Sequence, residues 1–136
     1  MIALKFGEIL GTICSDEIKK IIVGFKELPS KIEFLLKDTE VYKRIALELK
    51  DKTTCFYLGR GLDYYTAMES ALKLKEISYI YTESFAAGEL KHGTIALIED
   101  GTPVFVIATQ ERLYEKIISN VKEVKARGAR VYEITQ

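Results

Sequence analysis

The chain is poor in the side chains that bind metals and form disulfides. It has one histidine, His92, and two cysteines, Cys14 and Cys55, in 136 residues. A single histidine with no cysteine cluster beside it lacks the ligand spacing of a zinc site, and we expect neither a metal nor an organic cofactor. The two cysteines stand far apart without CxxC spacing, which predicts two reduced, mostly buried thiols in a cytoplasmic protein.

An excess of charge is also absent, since 20 Lys and Arg side chains balance 20 Asp and Glu side chains. A net charge of zero gives no long-range attraction to nucleic acid or to an anionic membrane surface. No stretch stays apolar for the roughly 20 residues of a membrane span, and the first residues lack the basic flank and cleavage site of a signal peptide. We therefore expect a cytoplasmic protein with neither a nucleic-acid nor a membrane partner.

The first 50 residues have the apolar periodicity of helices. An apolar helix is expected at 1–10, and a second begins with Ser15 as its N-cap. Pro29 is expected to end this helix and to open a further one over 31–37, because proline fits the first turn of a helix and disrupts its interior. The last helix of this half is predicted at 41–50.

The second half alternates short β-rich runs with helical segments. A continuous apolar run that ends in glycine, as at 55–59, is typical of a buried parallel strand. Strands are predicted at 53–58, 80–85, 103–109 and 130–135, and helices at 62–79 and 112–127. This alternation predicts an α/β fold in which a parallel sheet has helices on both faces, preceded by a helical N-terminal segment. Ligands bind at the carboxyl ends of such strands, which directs attention to 59–61, 82–85 and 109–110.

Three charged side chains share one stripe of the helix predicted at 62–79. Glu69, Lys73 and Glu76 are four and three residues apart, which places them on one side of a helix. The simplest interpretation is a solvated ion pair with a second carboxylate behind it. The alternative is a proton-transfer site, in which the ammonium holds an oxyanion or a sugar oxygen while a carboxylate moves a proton. Spacing alone leaves both interpretations open.

Two further features have both a structural and a functional interpretation. The turn Gly59–Arg60–Gly61 matches only the first part of a dinucleotide-binding motif, because Tyr64 stands where the third glycine belongs. A structural turn, in which the backbone approaches a neighbouring segment, is the simpler interpretation. His92 follows a short helix predicted at 86–90, and an isolated histidine is more often structural or exposed than catalytic.

Three motifs resemble one family over nearly the whole chain. Segments 58–61, 67–79 and 86–93 closely resemble, in order and spacing, the isomerase half of glutamine–fructose-6-phosphate aminotransferase, also called glucosamine-6-phosphate synthase. That half contains two sugar-isomerase (SIS) domains, and the motifs are similar to the second one. The resemblance implies a three-layer SIS fold at 51–136, cut short at its C-terminal end. Residues 1–50 would be the end of a preceding SIS domain and its connector.

The resemblance also implies roles for four side chains. Enzymes of this family convert fructose 6-phosphate and glutamine into glucosamine 6-phosphate. Glu76 matches the carboxylate that shuttles a proton, Lys73 the active-site lysine one turn earlier, and Glu69 the glutamate that supports the site. His92 matches the ring-opening histidine, which in the family reaches into the neighbouring subunit. We therefore expect a sugar phosphate as the substrate and a homodimer as the assembly.

Several parts of the family's active site have no counterpart in the chain. The glutaminase domain, the Ser/Thr-rich loop that binds the sugar phosphate and the C-terminal lysine are missing, so the substrate-binding residues stay unassigned. The family's His-Gly-Pro is His92–Gly93–Thr94 here, which leaves the conformation of that loop open. We expect the isolated chain to be inactive as a synthase or isomerase. The alternative is a stand-alone regulatory SIS module that binds sugar phosphates or dimerises.

Overall fold

The computed structural model describes residues 1–135, and Gln136, the last residue of the predicted SIS domain, lies outside the described part. The chain divides into two compact units, one of residues 1–47 and one that begins at Glu48. The first unit is helical, and the second contains the sheet. Among the helices described, none is long and apolar enough to cross a membrane.

Helix α1 (Ile2–Ile9), helix α2 (Ser15–Lys37) and most of helix α3 (Glu40–Leu49) form the first unit. The predicted break at Pro29 is wrong, because α2 runs through the proline without interruption. A proline inside a helix removes one backbone hydrogen bond and disturbs the preceding turn. Apolar residues nevertheless keep their helical spacing on both sides of it, at Ile22, Phe25, Ile32 and Leu36. The helical periodicity thus continues across Pro29, as the helix itself does.

The second unit is built on a parallel sheet with helices on both faces, as predicted. Its elements are β1 (Thr54–Gly59), α4 (Leu62–Ser78), β2 (Tyr81–Ala86), β3 (Pro103–Ala108), α5 (Tyr114–Ala126) and β4 (Arg130–Thr135). The strand order is β2-β1-β3-β4, and every pair is parallel. Within this register, Phe56 of β1 is aligned with Glu83 on one side and with Val104 on the other.

Short 3-10 turns connect the later elements of the sheet. Two of them, Leu90–His92 and Thr94–Leu97, lie between β2 and β3, and a third, Glu111–Leu113, precedes α5. The short helix predicted at 86–90 is wrong, because β2 extends to Ala86 and a turn follows it. The strand pairing with β1 continues to the last residue of β2, and this pairing overrides the helical tendency of the alanines.

The strand order places the helices on opposite faces of the sheet. The chain moves from β1 to β2 in one direction and then returns past β1 to β3. Since crossovers between parallel strands are right-handed, α4 covers one face, while the β2–β3 link and α5 cover the other. The core on the α5 side includes Phe56, Leu58, Leu90, Ile98, Val104, Val106, Ile117 and Val124. On the α4 side, the small buried side chains of Ala67 and Ala71 let the helix pack closely on the sheet.

The two cysteines have different surroundings. Cys14 is exposed and is the N-cap residue of α2, the position predicted for Ser15. Cys55 is buried in β1, and this burial raises the pKa of its thiol to about 12. The prediction of two buried thiols is therefore wrong for Cys14, because that residue lies in the link between α1 and α2 rather than in a strand of the sheet.

Gly59 lies where α4 passes directly over the end of β1, so a larger residue at this position should destabilise the fold. A Cβ atom at this position would lie 2.6 Å from the backbone nitrogen of Tyr64 and would also meet the backbone of Asp63. Backbone atoms in this turn cannot rotate away, so we expect Gly59→Ala to lower the free energy of unfolding by about 1–3 kcal/mol. Urea unfolding followed by circular dichroism measures this change.

The matched control is Gly24→Ala within α2, where an added Cβ meets no atom within 4 Å. Alanine in the interior of a helix is favoured over glycine by roughly 0.5–1 kcal/mol, so this variant should not be destabilised. An unchanged unfolding midpoint for Gly59→Ala would contradict the close approach of α4 to β1.

Candidate functional site

The start of α4 is anchored to the end of β3. Asp63, in the first turn of α4, accepts hydrogen bonds from the backbone nitrogen of Thr109 at 2.8 Å and from its Oγ1 at 2.6 Å. Asp63 is nearly buried, with only 6% of the residue exposed to solvent. Gly61 precedes the helix with a φ of 58°, a conformation that glycine adopts without strain. Together these contacts fix which side of α4 faces the sheet.

Glu69, Lys73 and Glu76 lie together on the outer side of α4. Lys73 Nζ is 3.0 Å from Glu76 Oε2 and 3.6 Å from Glu69 Oε1. The exposed fraction of the side chain is 65% for Glu69, 58% for Lys73 and 51% for Glu76. The structure therefore brings together the three residues that the helical spacing placed on one stripe, and it leaves them accessible from solvent.

The two carboxylates favour the charged form of the lysine. The pKa of Lys73 is raised, first by the hydrogen bond to Glu76, then by the charge of Glu76 and that of Glu69. Because exposed pairs of this kind contribute little to folding, the arrangement has small structural value. It presents one ammonium between two carboxylates, which is a combination suited to proton transfer next to a stabilised negative charge.

Large apolar side chains flank these charges. Leu62, Tyr65 and Leu72 are exposed on the same helix, and at 100° per residue they fall on the same half of its circumference as Glu69. A purely solvated helix face carries few large apolar side chains in a group. The composition of this face therefore favours a functional surface over a simple ion pair.

His92 lies on the other side of the sheet. It ends the 3-10 turn Leu90–His92, and Leu90 is fully buried in the core on the α5 side. The backbone nitrogen of His92 donates to the carbonyl oxygen of Glu89 at 3.0 Å. Within residues 1–135, its exposed side chain has no hydrogen bond or ion pair. One copy of the chain therefore does not bring His92 to the charges on α4.

The turn after His92 accommodates threonine in place of the family's proline. Thr94 is the first residue of the 3-10 turn Thr94–Leu97, a position that proline also fits. Its Oγ1 donates to the carbonyl oxygen of Leu90 at 3.2 Å. Gly93 has a φ of 143°, which glycine reaches without a Cβ penalty. The threonine hydroxyl thus adds a bond that holds this loop.

A polar cluster at the carboxyl ends of β1 and β3 contains residues that the sequence analysis missed. Arg60 Nε donates to Asn120 Oδ1 at 3.3 Å, and Gln110 Nε2 donates to the carbonyl oxygen of Arg60 at 2.7 Å. Ligand binding at the carboxyl ends of parallel strands already directed attention to 59–61 and 109–110. Asp63 and Asn120 were not among those positions, because they stand within helices. Among the described residues, no three His, Cys, Asp or Glu side chains are grouped as metal ligands.

Comparisons with known proteins agree with this fold. The chain is 53% identical to the glutamine–fructose-6-phosphate aminotransferase (isomerizing) of Caldanaerobacter subterraneus subsp. tengcongensis, over 96% of its length and 22% of the relative. It is 44% identical to the enzyme of that name from Thermococcus kodakarensis, over 99% of the chain and 22% of the relative. The chain thus spans about a fifth of the length of these curated relatives.

Solved structures show the same relationship. The C-terminal domain of glucosamine-fructose-6-phosphate aminotransferase from Francisella tularensis matches with a TM-score of 0.93 and 34% identity, over 98% of this chain and 38% of that one. A putative phosphosugar isomerase from Salmonella typhimurium LT2 shares the fold at 19% identity, with a TM-score of 0.77 over 89% of this chain and 39% of that one. The SIS domain family matches residues 48–136, and the chain belongs to the SIS domain family.

Proposed function

We propose that the chain supplies the acid–base face of a sugar-phosphate isomerase site of the glucosamine-6-phosphate synthase type. The observation that carries the proposal is the grouping of Glu69, Lys73 and Glu76 within 3.6 Å on α4. Identities of 44–53% to glutamine–fructose-6-phosphate aminotransferases support fructose 6-phosphate as the sugar that this face acts on.

Each of the three side chains has a distinct proposed role. The Glu76 carboxylate accepts the proton from C1 of the open-chain ketose and returns it to C2, while the O1 hydroxyl loses its proton and O2 gains one, so the ketose becomes an aldose with no atom gained or lost. The Lys73 ammonium stabilises the negative charge that develops on the sugar oxygens between these two steps. Glu69 supports the site by holding the Lys73 ammonium, whose Nζ lies 3.6 Å from Glu69 Oε1.

His92 is proposed to act in a second copy of the chain. In one copy the sheet stands between the α4 face and the turn that carries His92, so a site that uses both needs another subunit. In a twofold symmetric dimer each His92 can reach the α4 face of its partner. We therefore propose a homodimer in which every site takes residues from both subunits.

The isolated chain is proposed to be inactive. Its acid–base side chains are more than half exposed, whereas isomerase chemistry depends on a closed site that excludes water and strengthens electrostatic interactions. The enzymes that resemble this chain are several times longer, and the remaining length would supply the closure and the phosphate-binding loop.

Complementation tests the role of Glu76. We expect the chain alone to leave fructose 6-phosphate unchanged, and a mixture with the preceding SIS domain and C-terminal tail of the enzyme to turn it over. Glu76→Gln should lower this rate by about 10²- to 10⁴-fold, the usual contribution of general acid–base catalysis. Phosphorus NMR follows the sugar phosphate.

Glu115→Gln is the matched control, because Glu115 is an exposed carboxylate on α5. Restored activity that survives Glu76→Gln would contradict the proposed proton shuttle. Turnover by the unmodified chain alone would contradict its proposed inactivity. Micromolar binding of glucosamine 6-phosphate by the chain alone would instead favour the stand-alone sugar-phosphate-binding module.

Subunit mixing tests the shared site. His92→Ala and Glu76→Gln are each expected to be inactive in the complemented assembly. When the two variants are mixed and allowed to exchange subunits, each mixed dimer has one site with both changes and one site with neither. We expect about a quarter of the original sites to regain activity. A mixture that stays inactive, or a chain that sediments as a stable monomer of 15.4 kDa at high concentration, would contradict the shared site.

The ionisation of Lys73 gives an independent test within the chain as it stands. Replacing Glu76 by glutamine removes the carboxylate that contributes most to the raised pKa of Lys73, so the pKa should fall towards its ordinary value. Glu69→Gln should produce a smaller fall, and Glu115→Gln should produce none. A pH titration of the lysine side-chain NMR signals measures all three. A larger fall in Glu69→Gln than in Glu76→Gln would contradict the geometry.

A further inference from the structure

We infer that Arg60 is a positioning residue for His92, holding the turn that carries the histidine through direct contact with Gly88. This inference rests on the proposed function, since His92 matters only if it acts in the reaction. Arg60 belongs neither to the charged residues on α4 nor to the turn that carries His92, so the inference adds a further residue to the proposed site.

Arg60 extends from the end of β1 towards α5. Its Nε donates to Asn120 Oδ1 at 3.3 Å, and Asn120 is only 4% exposed. The Asn120 amide is itself held, because its Nδ2 donates to Glu123 Oε2 at 3.1 Å. The carbonyl oxygen of Arg60 accepts a hydrogen bond from Gln110 at 2.7 Å. The arginine is thus fixed at both its backbone and its guanidinium group.

The guanidinium group rests against Gly88. A Cβ atom at Gly88 would lie 2.6 Å from Arg60 Nη2 and 3.2 Å from Arg60 Cζ. Gly88 does not have the positive φ found at Gly61 and Gly93, so its backbone conformation is open to other residues. The reason for a glycine here is therefore the space that the arginine occupies.

Backbone hydrogen bonds connect this contact to His92. On one side of Gly88, the Ala87 nitrogen donates to the carbonyl oxygen of Gly59 at 2.9 Å. On the other side, the Glu89 nitrogen donates to the carbonyl oxygen of Ala86 at 2.8 Å, and the His92 nitrogen donates to that of Glu89 at 3.0 Å. A displacement at Gly88 is thereby passed through two successive turns to the histidine.

The single histidine makes the inference measurable in the chain itself, because one set of imidazole NMR signals reports on His92 alone. We expect Arg60→Met, which keeps a long side chain but loses the guanidinium group, to shift or broaden these signals. Arg60→Lys should shift them as well, because lysine lacks the planar group that lies against Gly88. The control is Tyr132→Phe, which removes a 2.6 Å hydrogen bond to Glu48 elsewhere in the unit and should leave the signals in place.

A purely structural arginine would give a different result. If Arg60→Met lowers the unfolding midpoint while the His92 signals stay unchanged, the arginine only joins β1 to α5 and the inference is overturned. Should that variant fail to fold, Gly88→Ala provides the second measurement. Its added methyl group displaces the guanidinium group, so it should reproduce the shift of the His92 signals in the otherwise unmodified chain.

The two substitutions are expected to be coupled. In an Arg60→Ala background the space beside Gly88 is empty, so a subsequent Gly88→Ala should move the His92 signals no further. Residues in contact show such non-additivity, whereas independent sites add. An equal effect of Gly88→Ala in both backgrounds would show that the contact with Arg60 is not the route to His92, and would overturn the inference.

The complemented assembly separates this inference from the proposed function. There Arg60→Met should lower kcat by about 10- to 100-fold with little change in KM, since small misplacements of a catalytic group have effects of this size. An unaltered kcat alongside shifted His92 signals would also overturn a role in catalysis. Failure of complementation by the unmodified chain would instead contradict the proposed function, and the NMR comparison would still decide whether Arg60 positions His92.

Discussion

The hydrogen bonds between Asp63 and Thr109 hold the start of α4 in place, and the position of the charged side chains on α4 depends on them. A nearly buried carboxylate at the start of α4 accepts two hydrogen bonds of 2.8 and 2.6 Å from the residue that follows β3. A buried carboxylate is costly unless it is hydrogen-bonded in this way. The contact therefore fixes the start of α4 over the switch point between β1 and β3, and it determines which side of the helix faces outward.

The consequence is that the charges on α4 and His92 lie on two separate surfaces of the domain. Small buried alanines direct one side of α4 against the sheet, which leaves Glu69, Lys73 and Glu76 on the opposite side. The right-handed return from β2 to β3 places His92 on the other face. The proposed homodimer is compatible with this topology, because a second copy would supply the surface that the first copy holds on its far side.

Most of the second unit could be predicted from local patterns, and the exceptions have identifiable physical causes. The two central strands, β1 and β3, are continuous apolar runs, so their positions are predictable to within a residue or two. The predicted break at Pro29 is absent because the helical periodicity of α2 continues on both sides of the proline. The helix predicted at 86–90 is absent because pairing with β1 continues through Ala86. This pairing depends on a strand that is distant in sequence.

The sequence by itself determined the α/β class, the stripe of charges on α4 and the likeness to an enzyme family, because all three are properties of residue order and spacing. Tertiary structure alone decided that His92 and the charges occupy opposite faces, that Arg60 rests against Gly88, and that Asn120 holds the arginine. The contacts of Arg60 join residues that are 28 and 60 positions apart in the chain. No periodicity encodes them, since they arise only when the sheet brings the ends of its strands together.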